Sequence, residues 1–308
     1  MRVTAWILLA LSASVAWGVP LGQKSFKSPE AAVQALVKAA QAKDAKALIA
    51  VLGPQAGPII DSGDAVADQN ARAEFLAKYK EGSSIDSSAA GKAILVAGKD
   101  KWPFPIPLVK EGAAWYFDGA AGVEEVINRR IGENELSTIQ SCLAYVDAQH
   151  EYYLRNVQKD ALQHYANKLI STEGKKDGLY WPASNGEAPS PLGEEFVAAR
   201  AEGYLQSDAP RGAPYHGYIY RLITRQGPQA PGGAYEYMVN GELLGGFALI
   251  AFPADYGSSG IMTFIVNHEG VVYSRDLGPH TEHVAMGIVE FNPDAMWTKE
   301  DATVLAAQ

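Results

Sequence analysis

The stretch GGFALIAFPADYGSSGIMTFIVNHEGVVYSRDLG, residues 245–278, decides the reading of the fold. It holds three apolar runs, residues 245–254, 261–267 and 271–276, rich in β-branched and aromatic residues. Glycine-bearing turns at 255–260 and 267–270 separate them, so the pattern predicts an antiparallel meander. Upstream, YHGYIYRLITRQG (215–227) adds a further strand, with a turn at 228–233. Before that lies ENELSTIQSCLAYVDAQHEYYLRN (133–156), the longest predicted helix. Its Leu136, Ile139, Leu143, Val146 and Tyr153 alternate spacings of three and four, with His150 in register, and so form one apolar stripe. A long helix followed by a meander is the layout of a pilin-like globular head. The apolar helical extension and cleavage motif of a true pilin are missing. Between helix and meander, residues 171–191 have loop chemistry, and 193–204 reads as a short helix.

The first half reads differently. Ser28 and Pro29 start a helix whose Val33, Leu36, Val37, Ala40, Leu48 and Val51 keep helical spacing up to Gly53-Pro54. A second helix is predicted over 71–79, and KAILVAG (92–98) reads as a strand. WPFPIPLVKEGAAWYFDG (102–119) reads as a hairpin around Lys110-Glu111-Gly112, its three-proline arm suited to a sheet edge. GVEEVINRRIG (122–132) reads as a short closing helix. Helices followed by antiparallel strands suggest a cone like the nuclear-transport-factor-two-like (NTF2-like) fold, a scaffold that transfers no function. The expected class is therefore α+β in two domains, 25–131 and 132–308.

Residues 1–18 form a third unit. Arg2 precedes the apolar run VTAWILLALSASVAW, and Ala16 and Gly18 are small residues in the relation a signal peptidase needs. The run is shorter than the ~20 residues of a membrane span. The expectation is a signal peptide and a periplasmic or secreted protein with no integral span in the mature chain. The 308-residue chain carries 26 Lys+Arg and 35 Asp+Glu; losing Arg2 leaves 25 against 35, a net charge of −10. Such an acidic chain with no basic run is a poor partner for nucleic acid. The single cysteine, Cys142, falls beside the helical stripe and reads as a buried packing residue.

Several long motifs, in order, carry a family resemblance: the 102–136 segment KWPFPIPLVKEGAAWYFDGAAGVEEVINRRIGENEL with its preceding lysine, YVDAQHEYY, DGLYWPA, YHGYIYRLITRQGPQAPGGAYEYMVNG and the opening stretch. Together they resemble the exported bacterial family of domain-of-unknown-function 2950, over about residues 26–297. The resemblance implies a periplasmic or secreted protein. It brings no activity, cofactor or site residue.

Candidate sites come from the residues themselves. His268-Glu269 lies between Asn267 and Gly270, which tolerate left-handed backbone, so the pair reads as a hairpin tip with both side chains in solvent. His280 and His283, three apart with Glu282 between, could hold a divalent metal if His216 or His268 joined them, since zinc needs three or four ligands. The same residues also read as polar caps of a C-terminal helix. Asp61, Asp64 and Asp68 lack calcium-loop spacing and read as the start of a helix, where the macrodipole favours anions. YGSSG is not a nucleophile elbow, and QGPQAPGGAYEY lacks a phosphate-loop spacing. Arg129, Arg130, Glu133 and Glu135 read as an interdomain salt-bridge patch. Tyr180, Trp181, Tyr204, Tyr215, Tyr218, Tyr220 and Tyr235 flank turns; such rings pack sheet faces or line carbohydrate and peptide grooves. Tyr180, Trp181, Tyr215, Tyr218 and Tyr235 are the ligand-binding candidates. The functional expectation is a binding or accessory module without enzymatic activity and without cofactor, whose partner is an envelope protein or a surface polymer. A metal-assisted hydrolase on His216, His280 and His283 is the alternative.

Overall fold

A computed structural model describes residues 19–300 apart from 88, 157, 160, 184–185, 196–198, 200–201, 203 and 205–212. The signal-peptide reading of residues 1–18 and half of the helix read over 193–204 lie outside the described residues. The protein is α+β. Its first helices are α1 (Pro29–Gln41), α2 (Ala45–Leu52), α3 (Gly57–Ile60) and α4 (Ala65–Glu81). Each long helix starts where a side chain satisfies an otherwise orphaned N–H: Ser28 accepts from Ala31, Asp44 from Ala47, and Asp64 from both Val66 and Ala67.

These helices pack on an antiparallel sheet of β1 (Ser83–Asp86), β2 (Lys92–Ala97), β4 (Leu108–Glu111) and β5 (Ala114–Phe117), in that order, with β3 (Trp102–Pro103) also on β2. The proline-rich arm is an edge strand only in part: β3, which carries Pro103, has β2 as its one strand partner among the described residues. The arm is split: β3 pairs with Val96 and Ala97, β4 pairs with Lys92 and Ala93, and β4 lies between β2 and β5. Pro105 and Pro107 fall in the gap, where no ladder donor is required. Leu36, Val51, Leu95, Leu108 and Phe117 belong to the core this half encloses.

The two helices expected over 122–132 and 133–156 are one, α5 (Gly119–Arg155), 37 residues long. Gly132 costs about 1 kcal/mol relative to alanine but has an N–H, so it does not stop a helix that both cores hold. The 131/132 boundary thus falls within a helix. At its start, a Cβ on Gly122 would meet the Pro105 carbonyl oxygen at 2.2 Å, so glycine is what lets α5 close on the break between β3 and β4.

The other end of α5 packs on a second antiparallel sheet of β6 (Tyr218–Ile223), β11 (Ala248–Pro253), β12 (Met262–Asn267), β13 (Val272–Asp276) and β14 (Thr298–Lys299). The order is β14-β13-β12-β11-β6. All six residues of β11 are buried, because α5 and the short helix Thr281–Gly287 both contact the strand. Two-residue ribbons stand outside this sheet: β7 (Arg225–Gln226) with β8 (Tyr235–Glu236), and β9 (Met238–Val239) with β10 (Glu242–Leu243). Cys142, Tyr145 and Val146 of α5 join Ile250, Phe252, Phe264 and Ile265 in a second core, separate from the first.

Among the described residues the halves meet mostly through hydrogen bonds to backbone groups, with no ion pair between them. Arg130 donates to the carbonyls of Pro58 and Ile59 at 2.7 and 2.8 Å, and Glu135 accepts from the N–H groups of Ile261 and Met262. Asn134 donates to the Ser259 carbonyl, and Ser258 to that of Pro58. Arg129 pairs with Glu125 on its own helix. The charged junction is therefore an interface, held by hydrogen bonds in place of the expected salt bridges.

Candidate functional site

The β12–β13 hairpin turns as its sequence demands. Gly270 has φ +72°, and Asn267 Oδ1 accepts from the Glu269 N–H at 3.1 Å. Glu269 is exposed, but His268 is not at a solvated tip: its ring folds back, half-buried, against Tyr237 and Phe247. Two features allow this. The His268 N–H donates to the Phe247 carbonyl at 3.1 Å, extending the pairing of β11 with β12. Opposite the ring stands Gly246 at φ +146°, where a Cβ would lie 2.6 Å from His268 Nδ1. Burial lowers the pKa of His268 against the opposing pull of Glu269, so the imidazole is neutral at pH 7. Its Nδ1 is buried and has no hydrogen-bond partner among the described residues.

Phe247, fully buried, is the hub of a crown of rings. Tyr145 meets it at 5.4 Å, His150 at 5.6 Å, Tyr165 at 4.8 Å and His268 at 6.1 Å, all edge-on. Tyr153 stacks on Tyr165 at 4.9 Å, and Tyr235 stands edge-on to Tyr237 at 5.4 Å. The Tyr235 hydroxyl is 3.3 Å from His268 Nε2. The outer members are open: His150 is exposed, Tyr235 is 38% exposed, and Tyr153 and Tyr165 are half-buried.

Three segments bring these rings together, and buried glutamines fix two of them. His150 and Tyr153 are three residues apart and so share a face of α5. Tyr165 is placed by Gln149, whose amide both donates to the Ala166 carbonyl and accepts from the Ala166 N–H, each at 2.8 Å. This copies a backbone pair with a side chain. Tyr235 is placed by Gln226, which donates to the carbonyls of Pro231 and Gly233 and accepts from the Tyr237 hydroxyl at 2.6 Å. Gln149 and Gln226 are 0% and 2% exposed, so the Gln149 pair and the Tyr237–Gln226 bond are shielded from water.

Of the residues singled out in sequence, only Tyr235 and His268 enter the crown. Tyr218 is wholly buried, its hydroxyl donating to the Met262 carbonyl, and Trp181 is in the same core. Tyr180 is half-buried and paired with the 169–171 segment. Tyr215 belongs to a second ring group with Tyr204, His216 and Tyr220, at the junction of the halves. There the Tyr204 hydroxyl donates to Asp64, and burial pushes the Tyr215 hydroxyl up to about 12. His216 has φ +47° and lies 3.3 Å from Glu202. His283 is exposed on the helix Thr281–Gly287, and His280, also exposed, is its N-cap residue without a side-chain capping bond. Among the described residues no three His, Cys, Asp or Glu side chains come together in a way that could hold a metal. His150, Tyr153, Tyr165, Tyr237 and Phe247 went unread as a site. The available signal was the density of rings in HEYY, at one end of α5, and the alternation of Tyr235 with Tyr237.

Fold and face together define an α+β protein with two buried cores on one shared helix and an open crown of aromatic rings. Residues 23–300 match the family described as protein of unknown function DUF2950, and the chain belongs to that family. No curated protein and no solved structure matches it. Among the described residues no helix is long and apolar enough to cross a membrane.

Proposed function

We propose that the protein is an exported, non-enzymatic binding module of the bacterial envelope, periplasmic or secreted, that holds a surface polymer through the crown around Phe247. One observation carries this reading: the crown's outer rings are fixed from beneath by Gln149 and Gln226 yet remain open to solvent. Rigid tyrosines give a large contact area for little loss of conformational freedom, and the rims of their rings still form hydrogen bonds. Export is supported by the leader-like residues 1–18, and the acidic chain is unsuited to nucleic acid. The separate cores support a division into domains near 25–131 and 132–308. The layouts, helices on one sheet and a long helix on the other, support the NTF2-like and pilin-head-like readings of the two.

Fractionation of cells making the full-length chain tests the proposal. The protein should leave the cytoplasm and sediment with envelope material. Tyr165→Ala combined with Tyr235→Ala should weaken that retention by about tenfold or more, as loss of aromatic anchors does. Cytoplasmic protein with Met1 intact, or retention unchanged in the double variant, contradicts it.

A further inference from the structure

We infer that the crown takes an uncharged carbohydrate chain, whose sugars pack on the outer surfaces of the Tyr153–Tyr165 stack and of Tyr235 and whose hydroxyls meet the tyrosine and histidine rims. The inference rests on the binding function proposed above and names its ligand class. It follows from the shape of the face and from its charge.

The shape is a ledge of rings. Tyr153 stacks on Tyr165 with 28° between their planes, so the inner faces cover one another and the pair presents an outer face and two hydroxyl-bearing rims. Tyr235 joins them through the crown: its hydroxyl is 3.3 Å from His268 Nε2, and the His268 ring is edge-on to the same Phe247 that Tyr165 meets. An extended chain of flat rings, apolar on its faces and polar at its rim, complements such a surface better than an irregular side-chain mosaic does. The polar partners match as well. The Tyr235 hydroxyl and His268 Nε2, 3.3 Å apart, offer a donor and an acceptor on adjacent atoms. Sugar hydroxyls both give and receive hydrogen bonds.

Charge narrows the class. Glu236 flanks Tyr235, Glu269 follows His268, and Glu242 precedes Leu243, which pairs with Tyr165; Glu236 and Glu269 are exposed, and the Glu242 side chain is 49% exposed. Burial raises the hydroxyls of Tyr235 and Tyr237, and the nearby Glu269 carboxylate adds to the rise in both. Neighbouring cations are already engaged: Arg155 with Glu151 and the Pro189 carbonyl, Lys168 with Asp177 and Thr172, and Arg225 with Glu290. With His268 neutral, these three cations paired and Glu242 set 3.3 Å from His164, a phosphorylated, sulfated or uronic-acid polymer would meet the exposed carboxylates of Glu236 and Glu269. An uncharged glycan meets no such repulsion.

Binding of the full-length protein to three insoluble polymers decides the matter: an uncharged glucan, chitin, and a uronic-acid polymer, each measured at low and physiological salt. The expected result is saturable binding to the glucan or chitin, little changed by salt. Tyr165→Ala and Tyr235→Ala should each weaken it about tenfold or more, and Tyr235→Phe, which keeps the ring, less. Met296→Ala, at a 60% exposed position outside the crown, should bind as wild type. Thermal unfolding of each variant checks that it is folded. Preference for the uronic-acid polymer, lost in Tyr165→Ala, would overturn the ligand class while leaving the binding function standing. No binding to any polymer, with an envelope protein instead captured in a Tyr165-dependent manner, would also overturn the ligand class alone. Binding of any kind that ignores both tyrosine substitutions would overturn the binding site itself.

Discussion

Cys142 is wholly buried on α5, and burial pushes its thiol up to about 12. Almost no thiolate exists at neutral pH, so native protein should resist thiol reagents that label the denatured chain within minutes. Rapid labelling of the native state would contradict its place in the core. Cys142→Ser should cost roughly 1–3 kcal/mol if its hydroxyl finds no partner. His268 makes a pH-dependent forecast. Burial, helped by nearby His150, lowers its pKa, while Glu269 and the Phe247 carbonyl pull it upward. Above the unfolded value of about 6.5 both states are neutral, and the group contributes no pH dependence. As pH falls below that, the unfolded chain takes up the proton first, and stability declines until the lower, folded pKa is reached. His268→Phe should therefore show a shallower loss of stability than wild type as pH falls below about 6.5 in denaturant titrations. Gly246→Ala puts a methyl 2.6 Å from His268 Nδ1 at a backbone angle of +146°, so it should displace the ring and cost about 1–3 kcal/mol. The inward turn of His268 was not legible locally. Asn267 and Gly270 announce a tight turn, but the space that receives the ring is made by Gly246, which lies more than twenty residues earlier.

At the scale of elements, the meander was readable because each run is β-branched and bounded by turn residues, and β11, β12 and β13 fall where the runs lie. The continuity of α5 was not. Gly132 amid Arg130, Glu133 and Asn134 looks like punctuation, and only the two cores that grip the helix on either side override it. The crown was equally hidden, since Phe247 meets Tyr145, His150 and Tyr165 across some eighty to a hundred residues of chain. Asp64 shows how one residue read as a helix start acquires a second duty. Its Oδ1 caps α4, while its Oδ2 accepts from the Tyr204 hydroxyl at 2.7 Å and the Gly217 N–H at 2.8 Å. Asp64→Ala removes the cap and strands two buried donors, so it should cost about 3–5 kcal/mol in chemical denaturation. A cost below about 1 kcal/mol would show that the cap alone mattered and that the junction is loose.

The whole molecule joins two cores through one helix and a hydrogen-bonded junction, with the crown at the far end of that helix. Because α5 cannot be fixed in one core and free in the other without breaking that junction, heat should unfold both together in a single transition. Two resolved transitions would mean that the cores are independent. The exported form should begin at residue 17 or 19, after Ala16 or Gly18, and mass spectrometry of the exported protein would detect an intact Met1 if that were wrong. The central claim is that the crown is the surface the protein uses. Tyrosine nitration of the full-length protein, with and without isolated envelope material, tests it most directly, because Tyr235, Tyr165 and Tyr153 are open while Tyr218 and Tyr237 are wholly buried. The account predicts that envelope material protects Tyr235, Tyr165 and Tyr153 and leaves Tyr256, which is paired with Asp276 away from the crown, as reactive as before. Unchanged nitration of the three crown tyrosines in material that demonstrably retains the protein would contradict it.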